Sequence, residues 1–199
     1  MPAIKETKMA TKKNPRVIKF VLTDDDYSAF GRYRILYTEG GRKLVNRQRL
    51  TYFISGVAIA LLFTIFHADH DFTLIAYIVA AVIGIGGPLM SERILLRQQD
   101  KAIKNSTDTI ERVHAVENVV TIGDDVLTTD AGDDHQEFNY KDIKLVDLTE
   151  EAIYVWMSDT MIMPVPLHAF DGMPEMKAAY KLIREKIKEA GGTAGDDGK

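Results

Sequence analysis

Residues 50–68 and 72–91 contain no Asp, Glu, Lys or Arg, and only the five residues "HADHD" (67–71) mark the join between them. As helices, runs of 19 and 20 residues extend about 28 and 30 Å, close to the hydrocarbon thickness of a bilayer. "TYFISGVAIALLFTIF" and "FTLIAYIVAAVIGIGGPLM" are apolar on every face, as a lipid-embedded helix is, and lack the one-sided stripe of a helix on a soluble core. The whole-chain averages, 46% hydrophobic and 27% charged with net charge −4, hide this segregation. The expectation is a hairpin of two transmembrane helices, 50–68 and 72–91, with an external turn at 69–71.

The flanks orient it. Arg42, Lys43, Arg47 and Arg49 precede the first run, Arg93, Arg97, Lys101 and Lys104 follow the second, and the connection has no Lys or Arg. The positive-inside rule then places both termini in the cytoplasm and "HADHD" outside, in a multi-pass membrane protein. His67, Asp69, His70 and Asp71 have the chemistry of metal ligands, and a membrane-bound enzyme or metal-binding protein using this turn is the alternative reading. A closed zinc site needs about four ligands. His114, His135 and His168 fall on the opposite side of the membrane in this topology, so only oligomerisation could add ligands; a polar interfacial turn requires nothing further.

Small residues recur at Gly56 and Ala60, and at Ala76, Ala80 and Gly84, the spacing that lets helix backbones approach within one hairpin. "GIGGP" (84–88) weakens the second helix, because Pro88 has no N–H to donate, and a kink is expected there. No charged residue lies inside either run, which removes the usual mark of a proton relay or ion-coupled transporter.

The remainder is expected on the cytoplasmic side. Residues 1–15 form a flexible basic arm without the apolar stretch of a secretory signal. Residues 16–41 hold a strand, "RVIKFVLT", and a helix that starts at Thr23-Asp24-Asp25-Asp26, presents Tyr27, Phe30 and Tyr37 near one face and stops at Gly40-Gly41. Residues 92–110 extend the second span as a helix, with Ile94, Leu95, Gln98 and Ala102 on one side. Across 111–190 the period changes to two: six short β-rich runs separated by turn signals form an antiparallel meander, closed by a helix with Pro174 and Glu175 in its first turn and an apolar stripe of Met173, Met176, Tyr180, Ile183 and Ile187. The tail 191–199 is too polar and glycine-rich to fold.

The strand leading into "LTDDDYSAF", the hairpin, and a strand-rich module with "YKDI" (140–143) and "MIMPVPLHAF" (161–170) resemble the YcxB-like family of bacterial membrane proteins. The resemblance covers roughly residues 16–190. It implies an α+β membrane protein: a two-helix transmembrane hairpin with a cytoplasmic pleckstrin-homology-like (PH-like) antiparallel β module capped by a C-terminal helix, and no defined reaction. Where the family carries basic residues before its terminal "AF", this chain has Val165, Pro166, Leu167 and His168.

Catalytic motifs are missing: no Walker loop, G-x-S-x-G or H-E-x-x-H, and no cysteine, which excludes thiolate chemistry and disulfides. Neither a catalytic residue nor a cofactor is expected, and the chain reads as a non-enzymatic interaction or regulatory protein. Residues 105–171 hold 15 acidic and 3 basic residues, a formal −12. Such a surface repels nucleic acid and anionic headgroups. The expected partners are the lipid bilayer and a protein with a basic segment, or the chain's own Lys5, Lys8, Lys12 and Lys13; a homo-oligomer is compatible with the pattern.

Overall fold

The computed structural model describes residues 15–66, 70–105, 116–193 and 195. The chain divides into two compact units: Asp24–Ile110, and the flanking segments Met1–Thr23 and Glu111–Lys199 taken together. The first is helical. It comprises α1 (Asp24–Tyr37), α2 (Glu39–Phe66), α3 (His70–Ala81), a π-helical turn (Val82–Gly86) and α4 (Gly87–Asn105).

Two helices in this unit, Glu39–Ile65 and Leu74–Ile103, are long and apolar enough to cross a membrane. Their 27 and 30 residues span about 40 and 45 Å, so each exceeds an apolar layer of roughly 30 Å and carries its basic residues on the excess. Contacts between α2 and the returning helix run antiparallel. The Thr64 and Tyr77 hydroxyls lie 2.7 Å apart, Gly56 faces Gly84 and Ala80, and Arg49 Nε donates to Ser91 Oγ at 3.3 Å. A Cβ at Gly56 would sit 2.5 Å from Gly84 Cα and 2.7 Å from the Ala80 carbonyl oxygen. The small-residue spacing therefore serves packing inside the hairpin, with Gly56, Ala76, Ala80 and Gly84 buried. The "GIGGP" discontinuity is the π turn, through which the helix runs on into α4, and Pro88, which has no N–H to donate, follows just after it.

Two boundaries differ from expectation. Gly40-Gly41 do not end α1; the chain breaks at Thr38, whose Oγ1 accepts the Gly41 N–H at 2.9 Å and so caps α2. The glycines lie in the first turn of α2, where a Cβ at Gly41 would press within 2.2 Å of the Arg34 carbonyl oxygen. The buried face of α1 consists of Ser28, Ala29, Gly31, Tyr33 and Ile35, and Tyr37 is exposed. Gly31 lies against α4, where an added Cβ would meet Gln99, and Tyr33 is buried on the same helix. Finally, helix resumes at His70, so the expected turn 69–71 is shorter at its C-terminal side.

Among its described residues the second unit has seven β-strands and one α-helix. Its strands are β1 (Arg16–Val21), β2 (Glu117–Ile122), β3 (Val126–Ala131), β4 (Asp134–Asn139), β5 (Leu145–Leu148), β6 (Ala152–Trp156) and β7 (Ile162–Pro166); the helix is α5 (Met173–Glu189). The six meander strands occur where alternation placed them. With β1 they form two antiparallel sheets, β1-β2-β3-β4 and β5-β6-β7. β1 does not belong with the following helix in a segment 16–41: it pairs along its length with β2, Arg16 opposite Ile122 and Val21 opposite Glu117. A ladder closed across almost a hundred residues leaves no local trace in sequence.

Inward residues of both sheets, among them Ile18, Val120, Leu127, Ile153 and Val155, form one core with Met176, Ala179, Ile183 and Ile187 of α5. Helix α5 is fixed at both ends. Glu175 accepts the Asp171 N–H at 2.6 Å and receives Arg16 of β1 at 2.6 Å. At the other end Gly191 adopts φ +79°, which lets the Gly192 N–H reach the Ile187 carbonyl at 2.9 Å. The tail is not wholly unstructured as expected: Arg184 donates to the Gly195 carbonyl at 3.4 Å.

Candidate functional site

The "HADHD" ligands first require placement. His67 and Asp69 lie outside the described residues, and His70 and Asp71 open α3 with side chains that are likewise outside them. Among the described residues no group of three or more His, Asp or Glu is placed to hold a metal ion. His135 is exposed, with Nδ1 bonded to Asp130 and Nε2 3.4 Å from Glu137. Both contacts, the Asp130 bond foremost, raise its pKa above 6.5. The His168 ring lies 3.2 Å from the Val21 carbonyl, beside Val165 and Pro166, which are buried core residues.

A cleft opens inside the β unit. It measures about 220 Å³ and lies between one end of the first sheet and the β6–β7 hairpin. Register explains it. Along the inner face the rungs are Ile122–Leu127–Phe138, then Ile18–Val120–Thr129–Gln136, then Phe20–Asn118–Ala131–Asp134. Side-chain volume in β2 and β3 thus falls from Ile and Leu to Asn and Ala along the sheet. The wide end is filled: Tyr140 is 1% exposed and α5 contributes side chains that are fully buried. The narrow end leaves space, bounded across the gap by Met157, Met161, Ile162, Met163 and Pro164.

This lining suits an apolar guest. Methionines are flexible enough to adapt their shape, and Phe20, Leu22 and Phe138 supply fixed walls. Polar groups among the described lining residues are few: Asn118, whose Nδ2 donates to the Val116 carbonyl at 3.3 Å, Thr129, and Asp130, whose carboxylate is bonded to His135 on the outer face of the sheet. The β3–β4 turn beside the cleft adds exposed Asp133 and Asp134. The geometry offers apolar burial under a negative rim and no nucleophile–base pair. Sequence alone does not reveal this site, because it is an absence of volume that only the pairing of Asn118 with Ala131 creates.

Charge pairs elsewhere hold the unit together. Lys186 donates to Asp124 Oδ1 at 3.0 Å, which raises its pKa. Burial pushes the Tyr140 phenol up, and its hydroxyl donates to the Gly123 carbonyl at 2.9 Å. Comparison of the chain with protein-family models, with curated proteins and with solved structures found no match.

Proposed function

We propose that the chain is an integral membrane protein of the YcxB-like type, anchored by the α2–α3/α4 hairpin and displaying its β unit in the cytoplasm as a non-enzymatic interaction module. The observation that carries the reading is the outward placement of the hairpin's large apolar residues: Leu61, Ile65, Leu74, Ile78, Val82 and Ile85 are all more than half exposed. In water so large an apolar surface would be a liability, whereas lipid is its matching solvent. The β1–β2 ladder supports a topology with both flanks on one side, because the segments before and after the hairpin fold into one unit. The basic residues on the excess lengths of α2 and α4 favour the cytoplasm for that side.

Four strands, three strands and a C-terminal helix accord with the PH-like module that the family resemblance implies. The acidity of 105–171, 15 acidic residues against 3 basic, favours a basic protein segment over anionic lipid headgroups or nucleic acid as partner. The chain has no cysteine, so topology is directly testable. In intact cells a membrane-impermeant thiol reagent should label Asp69→Cys, and label Asp133→Cys only after permeabilisation. The reverse pattern would overturn the orientation, and release of the protein by alkaline carbonate would overturn membrane insertion itself.

A further inference from the structure

The interaction reading names no site and no occupant, and the cleft supplies both. We propose that the cleft between Phe20, Ala131 and Met161 receives this chain's own N-terminal arm, residues 1–14, with Met9 as the apolar anchor and the flanking lysines over the acidic rim. The proposal rests on the reading of the β unit as an interaction module.

Reach is sufficient. The arm joins β1 at Arg16, the end that pairs with Ile122, while the cleft lies beside Phe20 and Leu22. Four residues of strand separate Arg16 from Phe20, about 13 Å. Seven residues separate Met9 from Arg16 and extend at most about 24 Å. Met9 can therefore fold back to the cleft with chain to spare.

Charge and shape agree. "KETKMATKK" (5–13) places Lys8 beside Met9, with Lys12 and Lys13 three and four residues on, and only Glu6 opposes them. Among the described residues no Lys or Arg lines the cleft, and Asp133 of the β3–β4 turn and Asp134 at the start of β4 are exposed beside it, whereas the Asp130 carboxylate is held by His135 on the outer face. An unbranched Met entering a space bounded by Met157, Met161 and Met163 meets side chains that can adjust to it. Tethering supplies an effective concentration in the millimolar range for a short linker, so even a weak contact of this kind is populated.

Disulfide trapping in the full-length chain in neutral detergent tests the proposal. Ala10→Cys is paired either with Met161→Cys, an exposed residue of the cleft, or with Val17→Cys. Val17 is also exposed, but it faces away from the core, since Ile18 beside it points inward, and it is far closer to position 10 along the chain. Random collision favours 10 with 17; docking favours 10 with 161. The expected result is faster oxidation of the 10–161 pair within one copy, slowed about tenfold when Met9→Ser is added, the scale of one buried apolar side chain. Equal or faster linkage of 10 to 17, insensitivity to Met9→Ser, or a 10–161 bond joining two copies would each overturn it. None of these outcomes depends on membrane orientation, so the labelling experiment and this one fail separately.

Discussion

The hairpin and the β unit draw on the same apolar residue types and arrange them in opposite senses. Ile153, Leu127 and Val155 are 0% exposed, whereas Leu61 is 57% and Ile78 56% exposed. The β unit is built for water, where removing apolar surface from solvent drives folding. In the hairpin, on the membrane reading proposed above, no such force acts between helices, and contact is left to small residues and a few polar pairs such as Thr64 with Tyr77. The direction a leucine faces thus records the solvent its segment was made for, and equal substitutions should have unequal effects in the two regions.

The largest effects come from exchanging those senses. Ile153→Ala opens a cavity in a packed core and should cost about 2–5 kcal/mol, read as a lower unfolding midpoint of the full chain in detergent. Leu61→Ala, on the outward face, should stay within about 0.5 kcal/mol. Charge reverses the ranking. Leu61→Arg should weaken insertion by roughly 3 kcal/mol, seen as a smaller carbonate-resistant fraction, while Val17→Lys on the outer face of β1 should leave stability unchanged. A Leu61→Arg protein that stays soluble, folded and active in binding would make the hairpin an ordinary surface and break the comparison.

Close approach gives the next largest effect and sharpens it. Gly56→Ala brings a Cβ against backbone atoms of Ala80 and Gly84 that cannot rotate away, and should cost about 1–3 kcal/mol. At Gly86 a Cβ meets nothing within 4 Å, so Gly86→Ala should be neutral or slightly stabilising. Thermal unfolding of both variants in detergent checks the pair. Equal effects would mean that the α2–α3 contact is not set by the Gly56–Gly84 approach.

Much of this architecture was legible where a property repeats along the chain. Charge-free runs marked the long helices, alternation marked six strands, and Pro174, Glu175 and Gly191 bracketed α5. What escaped depends on partners distant in sequence. β1 reads as a strand, yet its pairing with β2 is invisible from "RVIKFV" alone, and with it the building of one unit from segments that precede and follow the other in sequence. The part played in α1 by Ser28, Ala29 and Gly31 is hard to read for a related reason, since they matter for what they lack, namely bulk, and a Cβ at Gly31 would meet Gln99 of α4. The cleft escaped for the same reason: Asn118 and Ala131 become a gap only when the register sets them side by side.

The smallest predicted effect concerns pH, and it again separates the regions, because the runs 50–68 and 72–91 carry no Asp, Glu, Lys or Arg whereas the β unit titrates at its surface. His135 has a folded-state pKa raised by Asp130 and Glu137 above the ordinary 6.5. Its contribution to stability is complete below pH 6.5, where folded and unfolded forms are both protonated, and is lost as pH rises through the raised value. Glu175 behaves oppositely. The Asp171 N–H, with Arg16 nearby, lowers its pKa below 4.5, so its contribution is present above pH 4.5 and lost as pH falls through the lowered value. Both groups are exposed, and solvent screening keeps each effect small. The denaturation midpoint of the β unit in the intact protein should drift down on the alkaline side of pH 6.5, with that drift absent in His135→Gln, and should fall again in acid, less steeply in Glu175→Gln. An alkaline drift that persists unchanged in His135→Gln would show that the Asp130–His135–Glu137 cluster contributes nothing to the fold.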